Sequence, residues 1–597
     1  MKKTPATLLI LGSLSLFACT QPPEDDAAVE SQQSALTATY RVGSGQTYAS
    51  FSALPALKPG DVVEVMGGQT YGAVTLRTSG TSAAKITFRG VAVNGKRPVI
   101  SGGINTVQFE LSNWVVFDNF EVTGGTSRCI FNHAANVTVS NTLVHDCPAH
   151  GILGADYDSG SLTLDHVEVH HSGFGDQKHA IYIATDEIAY PGSVFRMQYC
   201  YLHDNNGGHG VKSRAERNEI YYNWIEGSYY HELELIGSDG AAESVKREDS
   251  DIVGNVIRKA GGHPSGHTVR IGGDGTAMTR GRYRFVNNTF ILAATSGSAI
   301  RVFDAAESIE AHNNVFYREG GGSIELIRTV EASPLPAVYG THNWAMSGSA
   351  NPSGWTGTIT GTTPGFTSTS AMDYGPATGA AILDKGQANP PTFSSHPFLN
   401  PLGTPAFQPA RNATSTIARR AGSDALDLGS YEAGSAGSTT TPAPAPAPST
   451  CSTVTAGIKN TAMTQMTGHF TATVTATPAD AYISAGVMLG QNAMTGWSDG
   501  AVIALFDGSG IIKARNGSAY AADVAIAYKG GTAYKFRLDV DVPSRTYSVY
   551  VTPAGGTEVR IASNYHFRTE WAAATALGNW ATIASGGSVT SCGLTLQ

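Results

Sequence analysis

A short strand-like motif that recurs through the middle of the chain limits the possible folds more than any other feature. Each copy opens with histidine or serine and has an apolar residue two places later, and successive copies start 22 to 36 residues apart. The copies are His150-Gly-Ile-Leu, His179-Ala-Ile-Tyr, His209-Gly-Val-Lys, His231-Glu-Leu-Glu, His267-Thr-Val-Arg and Ser298-Ala-Ile-Arg. A second motif recurs between them, at Asn223-Trp-Ile, Asn255-Val-Ile, Asn288-Thr-Phe and Asn314-Val-Phe. A repeat of this length indicates an architecture of stacked units.

The units themselves favour β-structure. Each one contains short apolar strands broken by Gly, Asn and Asp, without helical periodicity. A single unit cannot bury its own apolar face, whereas units stacked about 4.8 Å apart bury a continuous column. The 69 glycines and the low charged fraction of 15% also suit a β-rich chain with many turns. The sequence therefore predicts an all-β chain built around a right-handed parallel β-helix.

Alternation along the strands assigns the recurring side chains to two faces. Apolar or small residues two places apart, such as Val211 with Ser213 and Val269 with Ile271, are predicted to face inward. The aligned histidines have the same parity and are predicted to turn inward at the start of each strand. The aligned asparagines are predicted to stack into a ladder in which each amide bonds to the neighbouring turns.

Residues 39–433 resemble the pectate-lyase-like superfamily of β-helix proteins from end to end. The opening Tyr40-Arg-Val-Gly-Ser-Gly-Gln-Thr-Tyr, with Pro59-Gly-Asp-Val-Val, is similar to the entry strands of that superfamily. The segment Asp427-Leu-Gly-Ser-Tyr-Glu resembles its final coil. The resemblance implies the fold without fixing an activity, because this fold carries lyases, hydrolases, esterases, epimerases and adhesins.

A linker and a second domain follow the β-helix. Residues 434–450 form a Pro/Ala/Thr linker whose Pro-Ala alternation favours an extended spacer. Residues 451–597 alternate strand-like runs with Gly and Asp turns, which predicts a β-sandwich. They look like the jelly-roll, lectin-like domains appended to secreted carbohydrate-active enzymes, so they are a candidate carbohydrate-binding module. Trp497, Trp571 and Trp580 are candidates either for stacking on sugar rings or for core packing.

The N-terminus predicts export from a bacterial cell. Residues 1–18 combine a basic start with an apolar stretch too short to span a bilayer, as in a signal peptide. Leu16-Phe17-Ala18-Cys19 resembles the lipobox of bacterial lipoproteins, which implies acylation of Cys19; an ordinary signal peptide is the alternative. Residues 19–38 are predicted to be a flexible tether. The protein is expected at the cell envelope or surface, or secreted, with a lipid as its only membrane anchor.

Export permits disulfide bonds. Cys451 and Cys592 bracket the second domain and are predicted to pair. At least one of the other three cysteines must stay unpaired or pair between chains; these are Cys129, Cys147 and Cys200. No cysteine has the spacing of metal ligands, so the sequence does not predict a zinc site.

Charged and aromatic side chains occupy the outward positions of the first motif, three residues after each leading histidine. Stacked turns bring such positions about 5 Å apart, in what we call the outward row. Its predicted members are Leu153, Tyr182, Lys212, Glu234, Arg270, Arg301 and Glu325. Arg214 and Glu232 are predicted at flanking outward positions. A salt-bridged surface ladder is the alternative to a functional row.

These residue types suit β-elimination from a uronic acid polymer. The reaction needs a neutralised substrate carboxylate, a base for the C5 proton and an acid for the leaving oxygen. Arginine can clamp a carboxylate, and a lysine among arginines is expected to have a lowered pKa, as a base requires. The candidate catalytic residues are Lys212, Arg270 and Arg214, and the candidate substrate-binding residues are Tyr182, Arg301 and His209.

Lys212-Ser213 resembles the Lys-Ser motif of the chondroitinase B and alginate lyase family. The resemblance implies that Lys212 is the base, and in that family nearby Asn and Glu residues bind calcium. Here Glu232 and Glu234 are the candidates for holding Ca²⁺ through oxygen ligands, or alternatively for positioning Lys212. The family has its acid, an arginine, one turn after the lysine, whereas here the arginine comes a turn later, at Arg270.

The sequence as a whole predicts a monomeric polysaccharide lyase acting on an acidic polysaccharide. The net charge of −9 argues against general nucleic-acid binding. Two alternatives stay open. A glycoside hydrolase would need paired carboxylates on neighbouring turns, and no aspartate falls in register on the outward row. A non-catalytic binding or adhesion protein would need only the basic row and the second domain.

The lipid anchor is testable on the N-terminal peptide. We expect the mature chain to begin at a diacylglyceryl-modified Cys19, and the Cys19→Ala variant to carry no lipid. Mass spectrometry of the N-terminal peptide from detergent-extracted protein checks both. An unmodified peptide that begins elsewhere would favour the ordinary signal peptide.

Overall fold

The computed structural model describes residues 38–237, 249–262, 266–274, 279–330, 335–388, 390–391, 405–419, 426–433, 452–553 and 559–596. The signal peptide, Cys19, nearly all of the tether, the linker and Cys451 lie outside these ranges, so the predictions that fall there stay predictions. Among the described residues, no helix has the length and apolar character needed to cross a membrane.

Three long parallel sheets, named A, B and C, make up the first domain. Sheet A has 13 strands: β1 Thr39–Val42, β2 Val62–Met66, β5 Ile86–Val91, β8 Val115–Asp118, β11 Val137–Ser140, β14 Leu162–Asp165, β17 Val194–Gln198, β20 Arg217–Tyr221, β23 Asp249–Val253, β26 Arg282–Val286, β29 Ser308–His312, β32 Ala337–Thr341 and β34 Trp355–Thr356.

Sheet B has 12 strands: β3 Thr70–Gly72, β6 Val99–Ser101, β9 Glu121–Thr123, β12 Leu143–His145, β15 Glu168–His170, β18 Tyr201–His203, β21 Trp224–Glu226, β24 Val256–Lys259, β27 Thr289–Leu292, β30 Val315–Arg318, β33 Trp344–Met346 and β35 Ile359–Gly361. Sheet C has 10 strands: β4 Val74–Leu76, β7 Asn105–Glu110, β10 Arg128–His133, β13 His150–Gly154, β16 Ile181–Ala184, β19 Val211–Arg214, β22 Leu233–Leu235, β25 Val269–Ile271, β28 Ser298–Val302 and β31 Glu325–Thr329.

The chain visits the sheets in the order A, B, C and then begins the next turn, so every strand pairs with its equivalents one turn away. The prediction of a right-handed parallel β-helix is confirmed, with the hand that parallel crossovers almost always take. The two sequence motifs correspond to sheet C and to the start of sheet B. The predicted inward residues are fully buried in one continuous core, as Val211, Leu233, Val269 and Ile300 illustrate.

The asparagine ladder is present as predicted, just before the strands of sheet B. The side-chain oxygen of Asn255 accepts hydrogen bonds from the backbone and side-chain nitrogens of Asn223, at 2.8 and 2.9 Å. The same pair of bonds links Asn255 to Asn288 and Asn288 to Asn314, and Asn343 extends the ladder by one more turn. All five residues are fully buried, so the ladder satisfies polar groups that water cannot reach.

The structure shows how the three cysteines of the β-helix are paired. Cys129 and Cys147 form a disulfide bond inside the β-helix, and Cys200 is a buried free thiol. Burial raises the pKa of the Cys200 thiol. Cys592 is disulfide-bonded, but its predicted partner, Cys451, lies outside the described residues. That pairing therefore stays a prediction.

Two short hairpins and a return segment follow the last turns. The hairpins are β36 Phe366–Ser368 with β37 Asp373–Pro376, and β38 Phe407–Gln408 with β39 Ile417–Ala418. The chain packs back along the β-helix, where Thr416 bonds to the His166 ring at 2.7 Å and the Ser430 backbone nitrogen bonds to Thr289 at 3.0 Å.

The C-terminal domain consists of two six-stranded antiparallel sheets around its own core. One sheet is ordered β40 Ser452–Val454, β51 Val589–Leu596, β42 His469–Pro478, β47 Tyr534–Asp541, β48 Thr546–Pro553 and β49 Val559–His566. The other is ordered β41 Gly457–Met466, β50 Leu577–Gly586, β43 Ser484–Gly490, β44 Val502–Phe506, β45 Ile511–Asn516 and β46 Ala519–Ala527. The predicted sandwich is confirmed. Trp497, Trp571 and Trp580 are partly buried against its apolar clusters, as the core-packing alternative expects.

The ladder should contribute measurably to stability. Asn288→Ala removes the acceptor of the Asn255 backbone N–H, and each buried group left unsatisfied costs about 1–3 kcal/mol. We therefore expect the free energy of unfolding in urea to fall, whereas Asn351→Ala, at an exposed loop position, should change it by less than about 0.5 kcal/mol. Equal effects of the two substitutions would show that the ladder is not stabilising.

Candidate functional site

The outward row lies on the outer surface of sheet C. Parallel pairing places one residue per turn opposite its equivalent, in the order Leu153, Tyr182, Lys212, Glu234, Arg270, Arg301 and Arg328. The predicted last member was wrong, because Glu325 pairs with Ser298 and Arg328 takes the place opposite Arg301. The structure thus brings the predicted charged residues from Lys212 to Arg301 into one row on four consecutive strands.

Lys212 is one of two cations in the row that form no ion pair with a described carboxylate. Its ammonium lies 5.0 Å from the ring centroid of Tyr182 and forms no ion pair with any described residue. The side chain is half-buried, and burial lowers its pKa below the usual 10.5. Glu234 opposes this shift, whereas Arg214 and Arg270 add to it. The expected lowering is present, although burial contributes more than the arginines.

Glu234 links the residues in the middle of the row. Its carboxylate is buried, accepts a hydrogen bond from Arg270, and lies within ion-pair distance of Nε2 of His209. Burial alone would raise the pKa of this carboxyl, but His209, Lys212 and Arg270 hold it well below its usual range. Glu234 is therefore an anion at neutral pH whose bonds orient its neighbours.

Arg270 and Arg301 share an aromatic support that the sequence analysis did not identify. The two guanidinium carbons lie 4.1 and 5.0 Å from the ring centroid of Phe303. Arg301 also approaches Nε2 of His231 at 3.4 Å, and no described carboxylate pairs with it. The outward row therefore carries a second uncompensated cation, three strands from Lys212.

Sheet A shows what a structural ion-pair ladder looks like in this molecule. There the outward arginines are matched with carboxylates on neighbouring strands. Arg217 and Arg284 bind Asp251 at 2.6 and 2.8 Å, and Arg282 binds Asp249 at 2.8 Å. The outward row of sheet C differs because Lys212 and Arg301 have no such partners among the described residues. This contrast favours a functional row over a surface ladder.

Arg214 was predicted as an outward catalytic group, but the structure buries it. It is 3% exposed, donates from Nε to the Tyr182 hydroxyl at 3.0 Å, and also binds the Gly237 carbonyl and the Asp274 carboxylate. A guanidinium with these bonds is not available to substrate. Its geometry gives it the role of fixing Tyr182.

Glu232 also departs from the prediction. It is fully buried, accepts a hydrogen bond from the Ser228 backbone nitrogen at 3.1 Å, and lies 3.5 Å from the ammonium of Lys259. Burial raises the pKa of its carboxyl to about 7. Glu232 therefore does not lie at an outward position as predicted, and its partner Lys259 is separate from those of Glu234.

The histidines form a column beside the outward row, and the prediction that they turn inward was wrong. The backbone nitrogens of His179, His209 and His231 donate to Nδ1 of the preceding histidine at 3.2, 3.0 and 3.3 Å. The opposite edge of the histidine rings contacts side chains of the outward row. Nε2 of His209, for example, lies against the carboxylate of Glu234. Strands β16, β19 and β22 begin two residues after the histidine, so strand alternation does not extend back to it.

Burial keeps these imidazoles neutral. It lowers the pKa of His150 to about 4 and that of His179 to about 2. His209, predicted to contact substrate, is 5% exposed and lies within ion-pair distance of Glu234. His209 therefore contacts Glu234 from the buried side of the row.

The row does not match the preferences of Ca²⁺. This ion takes six to eight oxygen ligands. The carboxylates that the described residues bring to the row are Glu234 and Asp274, and each is bonded to an arginine. The group formed by His209, His231 and Glu234 supplies two nitrogens and one oxygen, which is not a calcium donor set. We therefore assign no catalytic step to Ca²⁺.

Comparison with known proteins identifies no family for the chain. No protein-family model and no curated protein matches the chain. Among solved structures, the chain is similar to pectate lyase Pel9A, at 13% identity and a TM-score of 0.39, over 66% of this chain and 96% of that one.

Two further solved structures are more distant by TM-score. An alginate lyase from Paenibacillus sp. str. FPU-7 has 16% identity and a TM-score of 0.31, over 51% of this chain and 99% of that one. A sialidase has 10% identity and a TM-score of 0.19, over 25% of this chain and 15% of that one. At these values the comparisons decide no activity, and the fold rests on the strand pairing of the structure itself.

The electrostatic coupling in the row is directly testable through the pKa of Lys212. Reductive ¹³C-methylation followed by NMR titration should give a pKa below 10.5, with the signal assigned by its loss in Lys212→Arg. Because the Glu234 carboxylate stabilises the ammonium, Glu234→Gln should lower this pKa further. An unchanged or raised value in Glu234→Gln would contradict this arrangement of charges.

Proposed function

We propose that the protein is a polysaccharide lyase that cleaves an acidic, uronate-containing polysaccharide by β-elimination, with Lys212 as the base. One observation carries the proposal: a half-buried lysine without an ion-pair partner among the described residues stands in the same row as an arginine without a carboxylate partner. The lowered pKa of Lys212 suits proton abstraction, because a larger fraction of the amine is neutral near physiological pH.

Each proton transfer of the reaction has a candidate side chain in the row. Lys212 Nζ takes the C5 proton of the uronate, and the electrons of the C–H bond form a double bond between C5 and C4. The bond from C4 to the glycosidic oxygen breaks, and that oxygen receives a proton. Tyr182 is our candidate donor, because its ring contacts Lys212 and its hydroxyl is fixed by Arg214.

A base of this strength can remove the C5 proton only when the substrate carboxylate is neutralised. Arg301 is the better clamp in the structure, because its guanidinium lies over Phe303 and has no described carboxylate partner. Arg270, the clamp or acid expected from the sequence, is bound by Glu234. We therefore propose that Arg270 and Glu234 position the row and that Arg301 binds the substrate carboxylate.

The two alternative functions, a glycoside hydrolase and a non-catalytic binding protein, differ in how well they fit the described residues. A glycoside hydrolase needs one protonated and one ionised carboxyl facing the bond to be cleaved. Glu234 and Asp274 are both engaged by arginines, so the described residues of the row offer no such pair. A polysaccharide-binding protein without activity is compatible with the same geometry, and a test for the unsaturated product separates it from a lyase.

Two further proposals rest on the sequence. The protein acts at the envelope or outside the cell, tethered by the lipid on Cys19, and the C-terminal sandwich holds it on its polymer substrate. Both fit a monomeric enzyme that works on an external polysaccharide.

Substitution of Lys212 tests the mechanism. Wild type should produce unsaturated uronates, detected by ultraviolet absorbance, from at least one polymer in a panel of uronate polysaccharides. Lys212→Ala should lower turnover by about a hundredfold or more. Lys212→Arg should be as inactive, because it keeps the charge but cannot lose its proton at neutral pH.

Lys85→Ala, at an exposed lysine far along the chain from the row, serves as the matched control and should retain full activity. Substantial turnover by Lys212→Arg would exclude this lysine as the base. Binding of a polymer by wild type without any unsaturated product would favour the non-catalytic alternative.

A further inference from the structure

A second cluster of histidines and carboxylates lies on sheet B, away from the outward row. Strands β12, β15 and β18 place His145, His170 and His203 opposite one another on successive turns. Their rings stack with centroids 5.2 and 4.9 Å apart. Glu168 lies two residues before His170 on the same face, and its carboxylate is 3.2 Å from Nε2 of His203.

Carboxylates orient two of these imidazoles, whereas Nδ1 of His170 lies 3.1 Å from Nδ1 of His171. Nδ1 of His203 bonds to Asp204 at 2.8 Å, and Nδ1 of His145 bonds to Asp146 at 2.7 Å. A carboxylate on one ring nitrogen orients the ring and leaves the other nitrogen to face an ion, as in many metal sites. Nε2 of His203 is thereby directed at Glu168.

The distances between the potential ligand atoms suit a small metal ion. The ligand atoms of Glu168, His170 and His203 all lie within 4.8 Å of one another. Two ligands about 2.0–2.1 Å from a tetrahedral ion are about 3.3 Å apart, close to the separation of Nε2 and the carboxylate oxygen. An ion can therefore replace the shared proton between His203 and Glu168, with His170 as the third ligand.

We propose that Glu168, His170 and His203 bind a divalent transition-metal ion of the zinc type. Two imidazoles and one carboxylate form a donor set that zinc accepts, whereas Ca²⁺ and Mg²⁺ prefer oxygen ligands. All three side chains are half-buried, so the fourth coordination position faces solvent. Its ligands come from two turns 33 residues apart in the chain, in the equivalent strands Glu168-Val-His and Tyr201-Leu-His, and they include no cysteine.

The other candidate group, His209 with His231 and Glu234, is a poorer site for a cation. It is buried, and its carboxylate is bound by Arg270 beside Lys212. The sheet B group is surrounded instead by further carboxylates, Glu121, Asp146 and Asp204, with Arg97 as a nearby cation. A divalent ion is thus favoured on sheet B and opposed at the outward row.

Zinc binding by the full chain tests the proposal independently of any lyase activity. After treatment with a chelator and its removal, titration calorimetry with Zn²⁺ alone should show one site per chain. His203→Ala should weaken binding at least tenfold. Glu168→Gln, a substitution of the same size that removes only the charge, should also weaken it, with unchanged circular dichroism showing that the fold is intact.

His133→Ala is the matched control, because His133 is half-buried beside Glu110 and Asp158 but belongs to neither three-ligand group. It should bind Zn²⁺ as wild type does. The proposal is overturned if wild type binds no Zn²⁺, if both His203→Ala and Glu168→Gln bind as wild type does, or if binding is lost in His231→Ala and kept in His203→Ala.

Discussion

The register between successive turns is the constraint on which the rest of the structure depends. Parallel backbone pairing sets each residue opposite its equivalent about 4.8 Å away, however long the intervening loop is. The buried asparagine ladder reinforces this register at the corner before sheet B, where Asn223, Asn255 and Asn288 link three turns through backbone and side-chain bonds. Residues 22 to 36 positions apart in the sequence thus become neighbours, and a single outward position becomes a row.

Charge compensation then distinguishes the rows from one another. On sheet A the register matches arginines with carboxylates, as at Arg284 and Asp251, and the charges stabilise the stack. On sheet C the same geometry leaves Lys212 and Arg301 without a described carboxylate partner, while Glu234 is occupied by Arg270 and His209. On sheet B it gathers imidazoles and carboxylates around Glu168. One backbone repeat therefore presents three chemically different surfaces.

Features that depend only on period and alternation could be predicted from the sequence. These are the β-helix, the asparagine ladder, the inward apolar residues and the row from Tyr182 to Arg301. Features that depend on where a strand begins, or on partners distant in sequence, were missed. Most of the histidines lie before their strands, so their parity was misleading. Arg214 is buried and bound to Asp274, and Glu232 is buried beside Lys259. Phe303 was missed because its role depends on contacts between turns, whereas the sheet B histidines do recur, in Leu143-Val-His, Glu168-Val-His and Tyr201-Leu-His, but were not recognised as a third motif.

The central claim is that an acidic polysaccharide binds along sheet C with its reacting sugar between Lys212 and Arg301. A crystal structure of Lys212→Ala with an oligosaccharide of the polymer that wild type cleaves tests this most directly. We expect a uronate carboxylate against the Arg301 guanidinium, with C5 facing the position of the missing ammonium. An oligosaccharide bound along sheet A or sheet B, with the outward row free, would contradict it.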